Sequence, residues 1–251
     1  DLLLPGALAL LLQKAEDTGA DIVRADYELI HISPDGTETP QPHPGGTACD
    51  LAADGDYRKF LQSSGPQFVW NALYRRSAIG NLRFDEHCRY GLEDFIFNAG
   101  LYARTDKVHY LPQPVYRHFE SGQSTSQCQT VQALQGRIGV LDRWMTAEYK
   151  AIQARCPEAA RAAVWNDRRA QAITFLMHQL ADAKAPGTLR RHGWRTLRGV
   201  LARYPAPPLD LWHEAKHHKK QTGALLLYNL RLQRLYELWA NRPKNRRRKL
   251  P

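Results

Sequence analysis

The chain has 251 residues, 43% of them hydrophobic and 24% charged, with a net charge of +10; this is the composition of a globular chain able to bury a sizeable core as one large domain or two small ones. No stretch approaches the roughly 20 uninterrupted apolar residues of a bilayer-crossing helix, and no positively charged leader precedes Leu2–Leu4, so the start does not read as a signal peptide. The charge is divided, with residues 1–130 carrying 11 Lys+Arg against 17 Asp+Glu and residues 131–251 carrying the remaining basic excess, which sets an acidic front against a basic back with different expected partners.

In chain order, Pro5 fits the first turn of a helix whose Leu8, Leu11, Leu12 and Ala15 recur on one face, and Gly19 reads as its C-terminal stop. Asp21 to Ile30 reads as a strand. Residues 33–56 are rich in Pro, Gly, Asp and Thr without apolar period, a loop or a ragged hairpin insertion. Tyr57 to Leu61 suggests a short helix, Phe68 to Tyr74 a buried strand, and Glu93 to Ala103 a helix with Ile96, Ala99 and Ala103 on one face. Val108 to Leu111 and Val115 to Phe119 are short strands on either side of Pro112 and Pro114. Alternating helix and strand through residue 119 predicts an α/β layer architecture.

After about Ser126 the character changes. Val131 to Ala154 and Glu158 to Ala183 are long helical patterns; Ala185-Pro186-Gly187 and Tyr204 to Pro208 interrupt the run. A final helix is expected over about Gly223 to Ala240, before a basic tail from Arg242 to Lys249. The four cysteines, Cys49, Cys88, Cys128 and Cys156, lie far apart without metal-ligand spacing and read as reduced thiols.

Three short blocks carry candidate chemistry: Trp70-Asn71-Ala72-Leu73-Tyr74-Arg75-Arg76; Gly91-Leu92-Glu93-Asp94 before an apolar helix; and Tyr110-Leu-Pro-Gln-Pro-Val-Tyr116-Arg117-His118, closing with Ser124-Thr125-Ser126. Each alone has a plain structural reading. A Glu-Asp pair opening a helix is commonly a favourable charge at the helix dipole, a Trp-Asn-x-Leu-Tyr strand is commonly core, and a Tyr-Arg-His run is commonly a half-buried strand edge.

In this order the blocks resemble the C-terminal half of the catalytic domain of an inverting, GT-A-type family 2 glycosyltransferase. In that family a Trp-Asn-Lys-Leu-Tyr-type strand precedes a Glu-Asp helix, and a Leu-Pro-x-Pro-x-Tyr-x-Tyr-Arg-type segment with a trailing Ser follows. The start is similar too: Asp1-Leu-Leu-Leu-Pro5, an amphipathic helix, then Ala20-Asp-Ile-Val23. The resemblance covers roughly residues 1–126 and implies a partial GT-A α/β domain lacking its N-terminal nucleotide-binding units, with residues 127–251 as a basic α-helical extension.

The resemblance implies Asp94 as the base that takes the acceptor hydroxyl proton, with Glu93 orienting acceptor or base. It implies substrate contacts at Trp70, Asn71, Tyr74, Arg75, Arg117 and Ser124, with Arg117 meeting phosphate. For a divalent metal, Mn²⁺ or Mg²⁺, the resemblance implies Asp1, which would follow directly on the family's metal-binding Asp-x-Asp and stand at best behind the direct ligands, and His118, as a metal ligand or a phosphate contact. Ala72 stands where the family often has Lys.

The implied activity is sugar transfer from a nucleotide-sugar donor to a glycan or lipid-linked acceptor in bacterial surface polysaccharide biosynthesis, in the cytoplasm or on the inner face of the plasma membrane. The start at Asp1 rather than Met reads as a fragment or trimmed chain, expected to be inactive by itself. The alternative is an inactive remnant that binds a membrane or a partner. The last helix carries Leu225, Leu226, Leu227, Leu230, Leu232, Leu235, Leu238 and Trp239 among arginines, and such a helix either lies on an anionic membrane surface or packs on the domain with a solvated tail. Nucleic acid is disfavoured as a partner, because no recognised motif is present and the aromatics are not interleaved with the basic tail.

Overall fold

The computed structural model describes residues 1–33, 35–41, 49–63, 66–120, 128–204, 206–209 and 219–240, with the side chains of 219–221, 237 and 239 left aside. The chain is of mixed α/β class, a five-stranded sheet with helices followed by a helical C-terminal region. It divides into two compact units. The first comprises residues 1–86, 91–127 and 150–158, and the second residues 87–90, 128–149 and 159–251.

In the first unit the order is β1 (Leu2–Leu3), α1 (Ala7–Thr18), β2 (Ile22–Ile32), β3 (Glu38–Gln41), α2 (Leu51–Asp54), α3 (Tyr57–Gln62), β4 (Ala72–Tyr74), α4 (Arg76–Ile79), α5 (Glu93–Tyr102) and β5 (Val108–Glu120). The central pair is β2 and β5, parallel from Ile22↔Val108 to His31↔Glu120. β1 pairs antiparallel with β5 on one side, and β3 and β4 pair antiparallel with β2 on the other. Parallel strands are joined by crossovers and buried by helices. Ala7 and Leu11 of α1 accordingly pack with Val23, Ala25 and Val115, while Arg24, alternating with them, meets Tyr102 of α5.

Several expectations are corrected. Helix α1 starts at Ala7, after a turn in which Gly6 has φ 77°, rather than with Pro5 in its first turn. Its buried residues are Ala7 and Leu11, whereas Leu8 and Leu12 are exposed. Gly19 does close the helix in the left-handed conformation.

The expected strand 68–74 contracts to Ala72–Tyr74, because residues 66–71 turn around the guanidinium of Arg24. On α5 the buried residues are Phe97, Asn98, Ala99, Leu101 and Tyr102, not a stripe of Ile96, Ala99 and Ala103. The two strands expected about Pro112 and Pro114 are one, β5. The register slips at Asp26, opposite Leu111 to Tyr116, and this bulge accommodates the prolines, which have no N–H for a ladder.

The second unit is built of α6 (Val131–Arg155) up to Tyr149, α7 (Glu158–Asp182), α8 (Gly187–Ala202), α9 (Lys219–Asn229) and α10 (Gln233–Ala240). Its core contains Leu134, Ile138, Leu141 and Met145 of α6, Ile173, Leu176 and Met177 of α7, and Leu197 and Val200 of α8. Gly193 lets α8 approach closely, since a Cβ there would lie 3.0 Å from Ile138 and 3.5 Å from Leu176.

The single final helix expected over 223–240 is instead two, broken where Arg231 takes φ 59°. Its leucines do not form one stripe: Leu225 is buried, while Leu226, Leu230, Leu232, Leu235 and Leu238 are exposed. The basic tail beyond Ala240 lies outside the described residues. Among the described residues no helix is long and apolar enough to cross a membrane.

Candidate functional site

Arg24 explains how the site is assembled. It sits in an apolar strand run between Val23 and Ala25 and is almost wholly buried. A buried guanidinium is stable only when its fork of donors is satisfied. Arg24 donates to the Tyr102 hydroxyl at 2.8 Å, to Asn71 Oδ1 at 2.7 Å and to the Phe68 carbonyl. Asn71 in turn donates to the Ala25 carbonyl at 2.9 Å, and Asn98 donates to the Gln67 and Phe68 carbonyls at 2.8 and 3.0 Å. These bonds tie residues 66–71 into a loop beside the N-terminus of α5.

That N-terminus carries Glu93 and Asp94. Gly91, at φ 104°, and Leu92, at φ 77° and buried, turn the chain sharply into the helix. A non-glycine residue in this region is strained by roughly 1 kcal/mol or more. Asp94 accepts a hydrogen bond from the Val69 backbone, and its pKa is raised to about 6. Burial is the main cause and the neighbouring Glu93 charge the second, with Val69 and Arg24 opposing. One oxygen of Glu93, Oε2, is buried without a hydrogen-bond partner among the described residues.

One residue beyond Val69, the Trp70 ring lies 4.8 Å from Phe68, 4.9 Å from Tyr116 and 5.1 Å from His118, all stacked, and 4.7 Å from Tyr27 edge-on. Trp70 is therefore packed among protein rings. Tyr116 and His118 point to it because they are two apart on β5. Arg117, between them, faces the other way and pairs with Glu28, donating from Nε at 2.7 Å.

β1 lays Asp1 alongside, where Asp1 Oδ1 accepts from the Phe119 amide at 2.9 Å and lies 3.3 Å from His118 Nδ1. His118 Nδ1 is buried and makes no hydrogen bond among the described residues, and burial lowers the His118 pKa, Glu120 opposing. A neutral imidazole nitrogen without a hydrogen-bond partner beside a carboxylate fits two ligands of a divalent cation. Among the described residues, no group of three His, Cys, Asp or Glu is arranged to hold a metal ion.

Of the residues predicted from sequence, the fold brings Asp94, Glu93, Trp70, His118 and Asp1 around the loop 66–71 and the C-terminal ends of β2 and β5. Asn71 is buried in the Arg24 network. The Tyr74 hydroxyl donates to Asn98 Oδ1 at 3.3 Å. Arg75 donates from Nη2 to the Ala20 carbonyl at 2.9 Å and pairs with Asp21 at 3.2 Å. It is thus at the start of β2, roughly 20 Å of strand from Tyr27 at about 3.3 Å per residue. Ser124 lies outside the described residues.

Sequence reasoning missed Arg24 and Asn98, and gave Tyr116, which stands in the third block, no role of its own. The available signal was a single charged residue inside the apolar run Ile22-Val23-Arg24-Ala25. No protein-family model and no curated protein matches this chain.

Proposed function

We propose that this chain is the acceptor-side part of an inverting, GT-A-type family 2 glycosyltransferase, acting with a nucleotide-sugar donor on a glycan or lipid-linked acceptor. The observation that carries the reading is Asp94: a carboxylate at a helix N-terminus, held by the Val69 amide, with its pKa raised to about 6. A general base works best with a pKa near the operating pH. In this reading Asp94 takes the acceptor hydroxyl proton as the oxygen bonds to the anomeric carbon, and the bond to the diphosphate breaks with its electron pair leaving on phosphate. Glu93 holds the Asp94 proton affinity up and orients the acceptor.

Asp1 and His118 would hold a divalent metal, which when bound supplies positive charge to the departing diphosphate. Trp70 is held in its ring stack rather than offering an open face to a sugar. Arg117 reaches phosphate only by leaving Glu28, and Arg75, tied to Ala20 and Asp21, acts on the sheet edge. A remnant that binds a membrane or partner is the second reading, favoured by the exposed leucines of α9 and α10.

The test is donor hydrolysis and transfer with Mn²⁺ by the natural protein that contains this chain, wild type against Asp94→Asn. Turnover is expected to fall by 10² or more with donor binding kept. Unchanged turnover removes Asp94 from the mechanism, and a wild type inactive with every common donor moves the remnant reading ahead.

A further inference from the structure

Between α8 and α10 lies a groove of about 640 Å³ lined by Arg190, Arg191, Trp194, Arg195, Arg198, Arg231 and Arg234 along with Gly187 and Gln233. We propose that this groove is a binding site for a group bearing two or more phosphates, distinct from and independent of the proposed glycosyl-transfer site. Arg191, Arg195 and Arg198 are spaced i, i+4, i+7 and so share one face of α8; Arg231 and Arg234 face them from the break before α10 and its first turn. All five are exposed. No ion pair joins any of the five to a described carboxylate, although elsewhere in the chain Arg117, Arg155 and Arg203 each have one.

The sequence itself withholds counter-charge. From Ala183 to Ala240 the acids are Asp210, Glu214 and Glu237 alone. Like charges crowded into one groove repel unless an anion neutralises them, and guanidinium forks match phosphate oxygens two at a time.

Three further features point the same way. The groove is built, not incidental: Gln233, buried beneath it, is best oriented with its amide oxygen 2.6 Å from Arg198 Nη2 and its nitrogen 3.0 Å from the Arg231 carbonyl. Arg198 also lies 5.7 Å over the Tyr228 ring, so its guanidinium is held in place. At the other end, the N-terminus of α8 opens into the groove at Gly187, with no side-chain cap and no acid in its first turn. Its unsatisfied amides add partial positive charge. The exposed Leu235 and Leu238 of α10 stand beside Arg234, which suits a phosphate group carried on a lipid; a soluble polyphosphate presents the same chemistry.

The intact chain is titrated with inositol hexakisphosphate and with pyrophosphate by calorimetry, and sedimented with phosphatidylcholine vesicles with and without about 20–30% cardiolipin, whose headgroup carries two phosphates. The triple variant Arg191→Gln, Arg195→Gln, Arg231→Gln is compared with a surface control of equal charge change, Arg89→Gln, Lys107→Gln, Lys150→Gln. The corresponding Arg→Lys groove triple and a thermal melt establish that folding is kept. At least a tenfold loss of affinity in the groove variant, with the control within about twofold of wild type, is expected. Groove-dependent binding of the soluble probes identifies a free polyphosphate ligand, and groove-dependent binding of vesicles alone a lipid headgroup. Equal losses in both Gln triples, or no binding of any probe by wild type, overturns the proposal. Neither outcome depends on glycosyl transfer, so failure of one reading leaves the other standing.

Discussion

At the residue scale, Asp94 is the proposed base. Its carboxyl has a folded pKa of about 6 against 3.8 for the ordinary group, so the folded state holds the proton more tightly than the unfolded chain does. Stability therefore falls as pH rises from about 4 to about 6, by on the order of 1–2 kcal/mol once solvent screening of this partly exposed carboxyl is set against about 1.4 kcal/mol per unit. Urea denaturation between pH 4 and 7 is expected to show this decline in wild type and to lose it in Asp94→Asn. If Asp94 is the base, turnover rises over the same interval, because only the ionised form accepts a proton. The Glu-Asp pair was legible in the sequence as a helix start. Its raised pKa was not, because it depends on burial beside residues 66–71, which Arg24 organises from more than 40 residues away in the chain.

At the scale of elements, Gly136 shows how packing overrides propensity. Gly136 lies inside α6, where Ala would favour the helix by about 1 kcal/mol. A Cβ there would lie 2.6 Å from Cδ2 of the Tyr90 ring and 3.6 Å from its Cγ, so the body of the ring must move, not a flexible end. The segment holding Tyr90 is also tied to α6 through Arg137, whose Nε donates to the Tyr90 carbonyl at 2.8 Å. Gly136→Ala is therefore expected to lower stability by about 1–2 kcal/mol rather than raise it, as a lower midpoint in urea denaturation. Gly91 has open space around it, and what requires glycine there is the φ of 104° alone.

Element boundaries follow the same logic. The long periods of α6 and α7 are read from sequence to within a residue or so, because an apolar face repeated over 25 residues leaves little ambiguity. The strand 68–74 and the final helix were not. In the first, a buried arginine captures backbone carbonyls that a strand would have paired; in the second, the chain breaks at Arg231 despite an uninterrupted helical pattern.

Across the whole molecule, charge is the dominant property. The net +10 and pI ≈ 9.6 predict retention on a cation exchanger at pH 7. Retention by a surface depends on local charge density as well as total charge, since screening confines each charge to about 10 Å at 0.1 M salt. The groove triple Gln variant is expected to elute earlier in a salt gradient than the surface control with the same net charge. Coincident elution would mean that the arginines of α8 and α10 do not act as a patch.

The sequence by itself determined the mixed α/β class of the front, the helical character of the back, the charge division between them and the candidate carboxylates at the start of α5. Periodicity, helix punctuation and charge counts are local quantities, and they survive in any packing consistent with them. Only the tertiary structure decided that β2 and β5 pair in parallel across a bulge that accepts two prolines, that Trp70 is stacked on His118, and that Arg117 turns to Glu28. It alone set arginines from two helices around one groove. Each of these depends on which distant segments share a face, and that is decided by the summed burial of apolar surface and the pairing of buried polar groups across the whole chain.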